Sequence, residues 1–184
     1  AMVPKDRYVP GTPHYKELTE GSETGELYIP AEADVSIRPG WFYHADQDSK
    51  VKSLDTLKDL YFRSVGQNAS FLLNVPPDRR GLVHENDVAA LAQFGQFLKQ
   101  LYAKDFARGA RVNASVSRGR GFEGDRVTDG RDDTYWAAPD GQLSATLELG
   151  MRRQTFDVVM LQEVISLGQR IKSFSIEARV DGGW

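Results

Sequence analysis

Two hydrophobic periods divide this chain of 184 residues. From Val51 to about Lys104, apolar positions recur at helical spacing on either side of one short continuous run. In "SLDTLKDLYFRSVGQN" they fall at Leu54, Leu57, Leu60, Tyr61 and Val65, with Ser53 placed to cap the start and Gly66 to end it, which predicts an amphipathic helix. "SFLLNVPP" follows, an apolar run closed by two prolines that cannot continue a ladder. This is the pattern of a strand buried on both faces, with Asn74 at its C-terminal end. "HENDVAALAQFGQFLKQLYAK" then sets Val88, Leu91, Gly95, Leu98 and Tyr102 on one helical stripe, with Asn86 near the start and Lys99 and Lys104 suiting the end.

From Ala110 onward the period falls to two. "LSATLELG" puts Ala145, Leu147 and Leu149 on one face, and "SFSIEARV" repeats the pattern with Phe174, Ile176, Ala178 and Val180. Turn signals at "RGRGFEGD", "TDGRDD", "APDG" and "SLGQR" separate these strands and favour an antiparallel sandwich. The expected organisation is α/β over residues 1–104 and all-β over 105–184, with the boundary between 103 and 110. Neither segment looks complete. One buried strand cannot form a sheet alone, and a sandwich needs about seven strands. The expectation is a piece cut from a longer chain.

Composition narrows the function classes. With 40% hydrophobic and 27% charged residues, and a net charge of -3 from interspersed acids and bases, the chain reads as an ordinary globular protein. No basic stripe invites nucleic acid, and no apolar run approaches a membrane span. The absence of cysteine removes disulfides, thiolate-bound zinc and thiol catalysis. "AMVPKDRYVPGTPHY" has neither the basic nor the apolar region of a secretory signal.

Candidate chemistry concentrates in "YIPAEADVSIRPGWFYH", residues 28–44. If this stretch is extended, Glu32 and Asp34 project to the same side. A retaining glycosidase needs two carboxyl groups about 5 Å apart, one as nucleophile and one kept protonated as acid. The neighbouring aromatics would suit such a site, because sugar rings stack on them and low polarity favours a protonated carboxyl. The plainer alternative is that Glu32 pairs with Arg38 and the aromatics are core. His14 and His84 lack the spacing of metal ligands. "NAS" at Asn68 and Asn113 is discounted as a glycosylation acceptor, and "GRGFEGD" reads as a loop between strands rather than a phosphate cradle.

"AEADVSIRPGWFYH" together with "FLLNVPPDRRGL" resembles the closing part of the catalytic barrel in bacterial α-L-fucosidases of glycoside hydrolase family 29, over most of residues 11–103. Tyr28 departs from the tryptophan expected there, keeping a stacking face but losing an indole N–H. The resemblance implies a (β/α)8-like barrel with its site at the C-terminal strand ends. It also implies an exo-acting, retaining hydrolase of terminal α-linked fucose on glycans, leaning toward α-1,3 and α-1,4 linkages and needing no cofactor for catalysis. Glu32 becomes the acid/base, the aspartate nucleophile lies upstream and outside the chain, and Asp34 supports Glu32. Arg38 is assigned to structure, weakly. Trp41 faces the fucose methyl group or the aglycone, or else is core with Phe42. His44 either donates to a sugar hydroxyl or is simply satisfied beside a core strand. Export to the periplasm or medium of a bacterium is the matching localisation.

Residues 110–184 carry a second resemblance. "VNASVSRGRGFEGDRVTDGRDDTYWAAPDGQLSATLELG" looks like the first half or more of a coagulation factor 5/8 C-type, discoidin-like sandwich, with a jelly-roll, galactose-binding-like fold. Such modules hold a structural calcium near the "DGxxxTYW" turn, implying Asp129, Asp132 and Thr134 as ligands. Asp129 could instead hydrogen-bond its own turn. Two functions stand at this point: the acid/base-bearing part of a fucosidase, or a non-catalytic carbohydrate-binding or structural fragment.

Overall fold

The computed structural model describes residues 2–4, 21–22 and 24–179. Two short strands, β1 (Met2–Val3) and β2 (Leu27–Tyr28), pair antiparallel. β3 (Ala31–Ser36) and β4 (Ala69–Asn74) pair parallel, with helix α1 (Leu54–Ser64) as the crossover between them. Helix α2 (Glu85–Leu101) comes next in the chain. β5 (Arg111–Ala114) and β6 (Leu147–Gly150) make a further antiparallel pair. The chain divides into two compact units. One gathers residues up to Tyr43, Asp55–Pro76 and the segment from Met160, and the other gathers His44–Leu54 and Pro77–Val159.

In the first unit, α1 buries Leu57, Tyr61 and Ser64. These positions are four and three apart, so they lie on one face as the period requires. The Ser64 hydroxyl donates to the Leu60 carbonyl at 2.6 Å and occupies an acceptor in the last turn. The helix tightens into a 3-10 turn, Val65–Gln67, and is stopped by Asn68 rather than by Gly66. Asn68 takes the left-handed conformation (φ 62, ψ 34), and its N–H donates to the Val65 carbonyl at 3.0 Å. Asparagine tolerates that region better than other side-chain-bearing residues.

The β3–β4 register sets Glu32 against Ser70, Asp34 against Leu72 and Ser36 against Asn74. One sheet face therefore carries Glu32, Asp34, Ser36, Ser70, Leu72 and Asn74, while Ala33, Val35, Phe71 and Leu73 lie on the other. The expectation that β4 is buried on both faces is corrected. Leu72 is 50% exposed and Ser70 is exposed, because this face has no layer over it among the described residues. Burial begins at the strand end, where Ser36, Ile37 and Arg38 are all buried.

In the second unit, the buried residues of α2 are Asp87 and Phe94, not the stripe through Val88, Gly95 and Tyr102. The stripe lies one position off, with Leu91 and Leu98 at its half-buried margin and Phe94 stacked on Phe97 at 6.4 Å. Sequence pattern alone misplaces it because the carboxylate of Asp87, in the first turn, is favoured by the positive end of the helix and so is tolerated inside. β5 is fastened to the 3-10 turn Gly124–Val127, where the Asp125 carboxylate accepts from Val112 N–H at 2.6 Å. A Cβ on Gly124 would lie 2.9 Å from the Val112 carbonyl, so no side chain fits there.

The predicted strand over 143–150 forms only at its end, in β6. That over 173–180 does not form among the described residues, which reach Arg179; Phe174 and Ile176 are 67% and 56% exposed. Period-two patterning needs a neighbouring strand to satisfy its backbone, and none lies beside this segment among the described residues. Beyond the β5–β6 pair, no further sandwich strand is seen among the described residues. No helix among the described residues is long and apolar enough to cross a membrane.

Candidate active site

Glu32 and Asp34 both lie on the open face of β3 and are exposed. Neither carboxylate has a hydrogen bond or ion pair among the described residues. The alternative pairing of either one with Arg38 is therefore not made. β3 ends at Ser36, so the chain turns before Arg38 can continue the same face. Arg38 is 1% exposed and lays its guanidinium over the Tyr43 ring, 4.8 Å from the centroid, which agrees with a structural role.

The aromatics after the proline-glycine pair are not core. Trp41 is 49% and Phe42 79% exposed, so both can meet a ligand, whereas Tyr43 is half-buried.

The turn bearing Trp41 is fixed by two residues to which the sequence reading gave no role. Asn74, last in β4, donates from Nδ2 to the Ser36 hydroxyl at 3.1 Å and to the Trp41 carbonyl at 2.9 Å. Ser36 Oγ donates to the Gly40 carbonyl at 2.7 Å and accepts from Arg38 N–H at 3.4 Å. The backbone adds a bond from Ile37 N–H to the Asn74 carbonyl at 2.9 Å. Ser36 thus spends its one donor and two acceptors, and both Asn74 amide protons are used. A serine and an asparagine in register at two strand ends were the available signal.

Tyr28, the departure from the family pattern, is 39% exposed. Its hydroxyl oxygen accepts from Asn68 Nδ2 at 3.2 Å, so the phenol gains a partner of its own. His44 lies in the other unit, exposed, where its carbonyl accepts from Gln47 N–H at the start of a 3-10 turn, Ala45–Lys50. His84 is the N-terminal cap of α2. Its Nδ1 accepts from Asn86 N–H at 3.2 Å, and Nε2 faces Asp48 at 3.3 Å. His14 lies outside the described residues.

Of the three residues proposed as calcium ligands, Asp129 and Thr134 are tied together in one turn. Asp129 accepts from Arg131 N–H at 3.0 Å and from the Thr134 hydroxyl at 2.7 Å, and Arg126 approaches it at 3.6 Å. The Thr134 hydrogen bond, most of all, holds its carboxyl below the usual range. Its oxygens already face hydrogen-bond donors and a cation, which is the arrangement of a self-capped turn. Asp132 is exposed. Among the described residues no group of three or more His, Asp or Glu side chains comes together as metal ligands.

A parallel strand–helix–strand order, with carboxylates on one strand face and a polar network at the strand C-terminal ends, is the construction of β/α-barrel enzymes. Comparison with known proteins makes the class specific. Residues 2–102, more than half of the chain, match the family model for alpha-L-fucosidase, and the chain belongs to that family. It is 40% identical over 174 residues to alpha-L-fucosidase 1 of Arabidopsis thaliana, covering 92% of this chain and 34% of that protein. Among solved structures it is similar to SpGH29, with 39% identity, a TM-score of 0.72, and coverage of 80% of this chain and 32% of that one. A Ruminococcus gnavus family 29 fucosidase in complex with fucose matches at 36% identity and a TM-score of 0.63, covering 69% of this chain and 26% of that one. The chain spans about a third of the length of the curated relatives it matches. Those relatives are plant proteins, so a bacterial source does not follow from them.

Proposed function

We propose that this chain supplies the acid/base side of an exo-acting, retaining α-L-fucosidase site, with Glu32 as the proton donor and acceptor. The observation that carries this reading is the Glu32 carboxyl itself: exposed, without a partner among the described residues, and on the sheet face that ends at the tethered Trp41 turn. In the first step Glu32 protonates the departing glycosidic oxygen while an aspartate from upstream attacks the anomeric carbon. In the second, Glu32 takes a proton from water, which displaces the enzyme ester and releases fucose with retained configuration. Asp34, two positions along the same face, adds negative charge beside Glu32, which favours the protonated acid at the start of the first step and the uptake of the water proton in the second. Trp41 offers an apolar face to the 6-deoxy sugar.

The substrates are terminal α-linked fucosides of oligosaccharides, with α-1,3 and α-1,4 branches preferred. Residues 105–184 are read as the start of a galactose-binding-like sandwich, supported by the antiparallel β5–β6 pair. Export follows from the substrate, since fucosylated glycans lie mainly outside the cytoplasm.

The test is Glu32→Gln in the full-length enzyme. With a poor leaving group, kcat/KM should fall by about 10²–10⁴, the usual worth of general acid catalysis, and by much less with an activated aryl fucoside. Equal activity on both substrates before and after the change would remove Glu32 from the mechanism.

A further inference from the structure

We infer that Asn74 and Ser36 are positioning residues that fix the Trp41 platform against the sugar, so that the last barrel strand sets substrate affinity through a turn borne by its neighbour. The inference rests on the fucosidase reading above and adds residues to it.

The geometry is specific. Ser36 and Asn74 end two parallel strands in register, and the turn after β3 must leave the sheet at that level. Asn74 Nδ2 reaches the Trp41 carbonyl at 2.9 Å. Only the amide nitrogen can face it, because a carbonyl offers no proton, so the orientation of the side chain is determined. The second amide proton goes to Ser36 Oγ, which in turn closes the turn onto the Gly40 carbonyl at 2.7 Å. Residues 36, 40, 41 and 74 form one chain of hydrogen bonds in which every proton is assigned.

Trp41 itself, 49% exposed, has half its surface in water. With so little packing to hold it, the backbone of Trp41 takes its position from Asn74 and Ser36. A ring platform is effective only if its plane is preset, since ordering it at binding would cost affinity. Asn74 has its side chain committed to this turn, so it acts through Trp41 rather than on substrate.

The test is a double-mutant cycle in the full-length enzyme, with an activated aryl α-L-fucoside as substrate. Asn74→Asp keeps the shape of the side chain and removes the donor. It should raise KM about tenfold while kcat and its pH profile stay within about threefold, as loss of a hydrogen bond that orders a binding surface implies. Trp41→Ala should raise KM by at least as much. Adding Asn74→Asp to Trp41→Ala should then change KM little further, since the residue would act through a ring no longer present. Ser36→Thr, which keeps the hydroxyl, should stay close to the parent, while Ser36→Ala should follow Asn74→Asp. Independent, multiplying effects of Asn74→Asp and Trp41→Ala on KM would overturn the inference, as would an unchanged KM in Asn74→Asp. Glu32→Gln, run alongside, separates the two claims. Full activity there on a fucoside with a poor leaving group defeats the fucosidase mechanism, whereas a normal Glu32 defect with additive Asn74 and Trp41 effects defeats only the positioning role.

Discussion

At the scale of single residues, the same side chain type does different work according to what its backbone leaves around it. Among the described residues Glu32 and Asp34 remain without partners because β3 presents them on an uncovered face, while Asp125 is consumed by the Val112 N–H of β5 and Asp129 by donors within its own turn. Asn68 shows how local chemistry decides an element boundary. Its positive φ stops the segment after α1, and Asn68→Val should cost about 1–2 kcal/mol, the penalty of a left-handed conformation for an ordinary residue. Asn68→Gly should cost less, and urea unfolding of the two variants checks the order. This boundary was not legible from the pattern, which offered Gly66, because glycine is the commoner stop and asparagine is recognised only from its dihedral. Glu32 and Asp34 sharing a side was legible, since extended backbone alternates faces whatever surrounds it. The exposure of Trp41 was not, because an aromatic cluster reads equally as core or as platform until its cover is known.

At the scale of elements, the two helices and the strand between them were readable from periodicity, and their burial was not. β4 was expected to be enclosed, yet Leu72 stands open; burial depends on which layers cover a sheet, and sequence period carries only the alternation. The α2 stripe failed for another reason, since a buried aspartate contradicts any pattern built on apolar residues alone. The loop before α2 shows the same use of charge. Asp78 accepts from Arg80 through both its backbone N–H and its guanidinium, at 2.8, 2.9 and 2.6 Å, and Arg80 continues to Glu85 at 2.8 Å. The Arg80 hydrogen bonds hold the Asp78 carboxyl at about 2, below its ordinary 3.8. The folded value lies below the unfolded one, so the stability it contributes is complete above about pH 4 and is lost as pH falls through about 2. Asp78→Asn should lower the urea midpoint at neutral pH, and the two proteins should converge as acid approaches that value. A difference that stays constant with pH would assign the effect to shape instead of charge.

For the whole molecule, the family match covers the residues on which the proposed activity rests. The model match ends at Tyr102, but the alignment to the Arabidopsis relative covers 92% of the chain, so it runs well into the region after the last helix. That region was expected to be a sandwich from its period of two, and the structure gives one antiparallel pair with extended apolar residues left exposed. Of the two strands expected there, only the end of 143–150 forms among the described residues, because strand formation depends on partners distant in sequence. The central claim concerns chemistry, and product stereochemistry tests it most directly. In the full-length enzyme, Glu32→Ala should leave the fucosyl-enzyme ester slow to hydrolyse, with a space where the carboxyl stood. Added azide should enter from that side, accelerate turnover of an activated aryl fucoside, and give α-L-fucosyl azide, with configuration retained through two inversions. β-L-fucosyl azide would show that the deleted carboxylate was the nucleophile, and absence of any azide adduct with unimpaired hydrolysis would show that Glu32 takes no part in the proton transfer.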